Sequence, residues 1–160
     1  MKTVVLDIDE TVAFSRYGVE DMPGAVEVHW KGGIDYTLGR PGNVPFLQEL
    51  KARGYEIISV TQGVVPWQKE VLKALGIADF FSEIYGWTTL QRTFASKIDL
   101  SNTQFVMLDN LSASQLWEKQ VWMNVSLEPG KNFIQVKEFR GNPDAGPLSD
   151  YLYDIHRMLT

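Results

Sequence analysis

Three apolar runs frame this chain, at residues 3–8, 55–60 and 104–108. None alternates apolar with polar positions along its whole length. Each therefore predicts a strand covered on both faces, as in a parallel sheet packed between helices. Between the runs the period changes. Phe46, Leu47 and Leu50 give an apolar face to a helix that Asn43 or Pro45 opens and that runs to Arg53, with Gly54 closing it. Val71, Leu72 and Leu75 mark a second helix from Pro66 to Gly76, and Leu152, Ile155 and Leu159 a terminal one over 148–159. Residues 88–98 read as a further helix, and Ser112 as the cap of another through Lys119. Segment 14–23 is polar and reads as a loop, 81–85 as a short strand, and 121–125 and 133–136 as edge strands. Residues 25–30 and 34–38 flank Lys31-Gly32-Gly33 and predict a hairpin. Its alternation of Val26, Val28 and Trp30 with Glu27 and His29 leaves one face to solvent. The expected fold is α/β: a Rossmann-like three-layer sandwich with a mainly parallel central sheet and a small β-hairpin flap. We expect one domain over residues 1–160, with the hairpin inserted at about 24–39.

Composition narrows the picture only a little. A chain of 160 residues can bury a proper core. The net charge of −5 disfavours a nucleic-acid partner. The absence of cysteine excludes disulfides and zinc–thiolate sites. No stretch has the length and apolarity to span a membrane, and Met1-Lys2 leads straight into a strand with no signal-peptide pattern. The expectation is a monomer located in the cytoplasm, or in the nucleus of a eukaryote, and not secreted.

The chemistry gathers where the apolar runs stop. The first ends in Asp7-Ile8-Asp9-Glu10-Thr11, the second leads into Thr61-Gln62-Gly63, and the third into Asp109-Asn110. Parallel strands share one carboxyl edge, which is where open α/β sheets bind ligands. Two carboxylates two residues apart repel each other and call for a cation. Magnesium takes oxygen ligands of this kind, completing its shell with phosphate and water.

The strand-Asp-x-Asp-x-Thr arrangement resembles the first motif of the haloacid dehalogenase (HAD) superfamily, most of whose members are magnesium-dependent phosphatases. Within it, the chain is similar to the small C-terminal-domain phosphatases of the NLI-interacting-factor-like family. The likeness runs from Leu6-Asp7-Ile8-Asp9-Glu10-Thr11-Val12 through the hairpin, Arg40-Pro41-Gly42 and Phe46-Leu47-Gln48-Glu49-Leu50 to Thr61 and Leu108-Asp109-Asn110, and on to Arg140-Gly141-Asn142-Pro143-Asp144. The resemblance implies a phosphomonoester hydrolase that passes through an aspartyl-phosphate. Asp7 would be the nucleophile, ionised at neutral pH without help from a base. Asp9 would be the general acid and then the base for water. Thr61 and the backbone N–H groups of Gln62 and Gly63 would hold the phosphate. Asp109, Asp7 and the backbone carbonyl of Asp9 would bind Mg2+, with Asn110 orienting Asp109 or a metal-bound water. The family places a lysine near the phosphate; Lys97 is the first choice for it and Arg92 the alternative.

Little sequence is free for a large cap, so the expected site is open and the substrate a phosphoprotein or another bulky phosphorylated molecule. A small-metabolite or nucleotide phosphatase of the same superfamily and a catalytically weak phosphate-binding module are the alternatives. Arg40 reads as a surface charge at a turn, and Trp30, Tyr36, Trp67 and Trp87 as packing residues.

Overall fold

A computed structural model gives the fold and describes residues 1–16, 18–87 and 98–160. Strand β1 (Lys2–Leu6) lies at the centre of a five-stranded parallel sheet. On one side it pairs with β5 (Glu56–Val64), which pairs with β6 (Glu83–Trp87). On the other it pairs with β7 (Gln104–Asp109), and β7 with β8 (Phe133–Gln135). The chain therefore fills one half of the sheet before crossing β1 to fill the other. The strand order reverses between β1 and β7, and the carboxyl ends beside such a reversal form a natural crevice.

The alternation of side chains divides the core in two. Val4, Leu6, Ile57, Val106 and Leu108 point to the face covered by α1 (Asn43–Ala52), α2 (Val65–Ala74) and α4 (Leu152–Met158). Val5, Ile58, Val60, Phe105 and Met107 point to the face covered by α3 (Trp117–Met123). A second, antiparallel sheet holds β2 (Ala13–Phe14), β4 (Gly33–Gly39) and β3 (Val26–Trp30), in that order. Lys31 and Gly32 both take positive φ, 50° and 77°, as a two-residue hairpin turn of matching twist requires. Trp30 meets Trp67 of α2 edge-to-face at 5.8 Å, so the hairpin leans on α2.

Several elements depart from the sequence reading. Residues 121–125 form no edge strand: Val121–Met123 is the last turn of α3, and Asn124 ends it in the left-handed conformation, φ 54°. The helix expected from Ser112 to Lys119 starts as a 3-10 turn, Ala113–Leu116, closed by a reciprocal capping pair of Ser112 and Gln115. The terminal helix likewise opens with a 3-10 turn, Leu148–Tyr151. Segment 14–23 carries the end of β2 and a 3-10 turn, Val19–Asp21. The helix expected over 88–98 lies, apart from Ile98, outside the described residues. Arg40 is no surface charge. It is 1% exposed and donates to the carbonyls of Thr11, Lys137, Ala145 and Gly146 at 2.7–3.1 Å, fastening the loop after β1 to the C-terminal segment.

Candidate active site

The register of the sheet sets the site. Leu6 is level with both Ser59 of β5 and Leu108 of β7. Asp7 and Asp109 thus leave adjacent strands at the same height, with Thr61 just beyond on β5. After Asp9 the chain turns sharply. The Ile8 carbonyl accepts from the N–H groups of Thr11, Val12 and Ala13 at 2.9–3.2 Å, and Glu10 takes φ 64°. That left-handed conformation is costly for a non-glycine residue, by roughly 1 kcal/mol or more. The Glu10 carboxylate is held by Arg16 Nε at 2.8 Å and Arg140 Nη2 at 3.4 Å.

Lys119 of α3 reaches between the two strand ends. Its Nζ donates to Asp7 Oδ1 at 2.8 Å and to Asp109 Oδ2 at 2.9 Å, with all three side chains almost wholly buried. Burial by itself would lower the lysine pKa, but attraction to the two carboxylates outweighs it and holds the ammonium charged well above the ordinary lysine range. Asp7 is pushed up to about 7, first by burial and then by the neighbouring Asp109 charge, with Lys119 opposing both. Asp7 Oδ2 accepts from the Thr11 hydroxyl at 3.2 Å, and Asp109 Oδ1 from the Leu111 N–H at 3.0 Å. With its nitrogen turned inward, the Asn110 amide donates to Asp7 Oδ2 and the Asp9 carbonyl at 3.2 Å and to Asp109 Oδ1 at 3.3 Å.

Asp9 is exposed, yet the neighbouring protein displaces part of the water around its carboxylate. That desolvation raises its pKa, against a hydrogen bond from Gln68 that lowers it. Thr61 is buried, and its Oγ1 accepts from the Gly63 N–H at 3.0 Å. The Gly63 N–H is therefore spent within the end of β5 rather than pointing at a ligand, while the Thr61 hydroxyl keeps its own proton to donate.

Asp7, Asp9, Glu10, Arg16, Thr61, Gln62, Asp109, Asn110 and Lys119 line one cavity of about 190 Å³. A neighbouring cavity of about 260 Å³ shares Asp9, Glu10 and Arg16 and is walled by Phe14, Ser15 and Trp67. Among the described residues no group of three or more His, Cys, Asp or Glu side chains is placed to hold a metal ion. Lys97 and Arg92 lie outside the described residues. Lys119, which the sequence reading assigned no chemical role, stands between the two aspartates. The signal for it was present: Lys119 falls three residues after Leu116 and four before Met123, within the buried stripe of α3.

The family model described as NLI interacting factor-like phosphatase matches residues 2–158. No curated protein matches the sequence. Among solved structures, the chain is similar to the crystal structure of an uncharacterized protein from Listeria monocytogenes serotype 4b. Identity is 21%, over 69% of this chain and 67% of that one, with a TM-score of 0.49.

Proposed function

The chain belongs to the NLI interacting factor-like phosphatases and is a phosphoric monoester hydrolase; from that premise we propose that it works through an aspartyl-phosphate on Asp7 with magnesium bound beside it. One observation carries the reading: Asp7, Asp9, Thr61, Asp109 and Lys119 share a single cavity at the point where the strand order reverses.

The donor chemistry suits the metal. The Asp7 and Asp109 carboxylates and the Asp9 backbone carbonyl are hard oxygen donors on two adjacent strands, and magnesium is commonly held by one or two carboxylates plus phosphate and water. Among the described residues lining the cavity, the carboxylates Asp7, Asp9, Glu10 and Asp109 outnumber the cations Lys119 and Arg16. A phosphate dianion entering that field needs further positive charge. Magnesium, when bound, supplies it and draws charge from the phosphoryl oxygens.

The chain's own residues perform the transfer. An Asp7 carboxylate oxygen attacks phosphorus as the bond to the leaving oxygen breaks, and Asp9 gives that oxygen its proton. The Thr61 hydroxyl and the Gln62 N–H donate to the phosphoryl oxygens. Lys119 compensates the paired charges of Asp7 and Asp109. Asp9, now a carboxylate, takes a proton from water as the water attacks the phosphorus on Asp7, releasing phosphate and restoring the nucleophile.

Arg16, whose side chain is 67% exposed, lines the cavity beside Gln62, and this solvent-facing cation suits a bulky phosphorylated substrate such as a phosphoprotein. The test is hydrolysis of p-nitrophenyl phosphate with and without magnesium, in wild type and Asp7→Asn. Metal-dependent turnover that the substitution abolishes is expected. Equal turnover by the variant, or none by wild type with magnesium, defeats the proposal. A panel of phosphopeptides, sugar phosphates and nucleotides then ranks the substrate classes, and the reading requires phosphopeptides to lead.

A further inference from the structure

Gln68 lies on the apolar stripe of α2, three and four residues before Val71 and Leu72, and its side chain is fully buried. Its Nε2 donates to Asp9 Oδ2 at 2.8 Å. Its Oε1 is buried with no hydrogen-bond partner among the described residues. An orphaned buried acceptor costs stability, whereas a methionine of similar size would fill the same space without it. Packing alone therefore does not account for an amide here.

The backbone around the amide is shaped to admit it. A Cβ on Gly63 would stand 2.3 Å from Gln68 Nε2. A Cβ on Gly86 would stand 2.8 and 2.9 Å from the Thr61 and Gly63 carbonyl oxygens. Neither glycine has positive φ, so what each contributes is the space a side chain would take. Gly63 admits the amide. Gly86 lets β6 run close against the irregular part of β5 that carries Thr61 and Gly63. Three positions on two strands and a helix thus serve one contact with Asp9.

We propose that Gln68 is a positioning residue for the departure of the leaving group. Its amide holds Asp9 by Oδ2, so the proton sits on Oδ1 and is presented to the leaving oxygen. The inference rests on the reading of Asp9 as general acid. In that step the phosphorus–oxygen bond breaks as the Asp7–phosphorus bond forms. The freed electron pair stays on the leaving oxygen, which takes the Asp9 proton, while Gln68 exchanges no atom.

A leaving group that is a weak acid depends on that proton; p-nitrophenolate departs without it. The experiment measures kcat/KM with magnesium on phenyl phosphate and p-nitrophenyl phosphate, for wild type, Gln68→Met, Gly63→Ala and Asp9→Asn. General acid catalysis contributes about 10²–10⁴-fold, so Gln68→Met should lose roughly tenfold or more beyond its loss on p-nitrophenyl phosphate when phenyl phosphate is used. Gly63→Ala, which displaces the amide, should change the ratio in the same direction, and Asp9→Asn should change it most. Equal losses on both substrates in Gln68→Met and Gly63→Ala, with Asp9→Asn selective, overturn the role of Gln68 alone. An unselective Asp9→Asn overturns the general-acid reading and this inference with it. Urea midpoints accompany each variant, and if one of the two fails to fold the other decides.

Discussion

Replacing Lys119 by methionine removes the ammonium that bridges Asp7 and Asp109 and leaves the volume filled. At 2.8 and 2.9 Å each contact is worth about 6 kcal/mol of attraction at an effective dielectric of about 20. Desolvating the ammonium and the carboxylates offsets much of that, by several kcal/mol per ion. What governs the variant is the pair left behind: two carboxylates, 9% and 1% exposed, with no ammonium between them. Breaking a buried pair in this way costs about 3–5 kcal/mol, a large share of the roughly 5–15 kcal/mol that holds a domain folded. The loss should be greatest in metal-free protein above neutral pH. It should shrink on acidification, because a proton shared by the aspartates replaces the ammonium, and also on adding magnesium. Urea unfolding with and without magnesium, at about pH 5 and about pH 8, reads all of this. Hydrolysis of p-nitrophenyl phosphate should fall by about 10²-fold or more even where magnesium restores the fold, since charge balance at the phosphate is lost. A variant within about 0.5 kcal/mol of wild type at neutral pH, hydrolysing as fast, would refute the reasoning.

Three other outcomes are expected. Asp7 holds its proton up to about pH 7 when folded but only to 3.8 when unfolded. Between those values the folded chain binds the extra proton, so metal-free stability should fall as pH rises through the window, by at most about 4 kcal/mol. The difference between the urea profiles of wild type and Asp7→Asn isolates this, and a difference rising with pH contradicts it. Arg40→Met strands four carbonyl groups and should cost about 3 kcal/mol or more in urea unfolding; a near-neutral variant contradicts the anchoring role. Thr61→Val keeps the shape but loses the hydroxyl, so kcat/KM should fall about 10²-fold while stability drops by about 1 kcal/mol through the lost Gly63 contact; unchanged kcat/KM removes Thr61 from the phosphate site.

The central strands were legible because a strand buried on both faces must be apolar throughout, as Val4-Val5-Leu6 and Phe105–Leu108 are. Their ends were legible for the complementary reason, since polar groups cluster where a parallel sheet meets solvent. The hairpin followed from Lys31-Gly32. What escaped is of one kind. Lys119, Gln68 and Arg40 are polar side chains inside apolar surroundings, and their partners lie 112, 59 and up to 106 positions away. A local pattern reads such a residue as the edge of an apolar stripe. The β-branched Val121 and Val125 strengthened that error by suggesting a strand and cutting the stripe of α3 after Lys119. The short helix with its 3-10 opening gave too few turns to correct it. For the same reason Arg40 looked like a turn charge, although the carbonyls it satisfies come from the loop after β1 and from the C-terminal segment.

The central claim is that the phosphoryl group rests on Asp7 during turnover. Acid-quenching the enzyme mid-reaction with p-nitrophenyl phosphate and magnesium, then reducing it with borohydride, converts an acyl phosphate on aspartate to homoserine. Peptide mass spectrometry should find homoserine at position 7 in wild type and none when substrate is withheld. Steady turnover with position 7 unmodified, or homoserine at position 9 or 109 instead, would contradict the account.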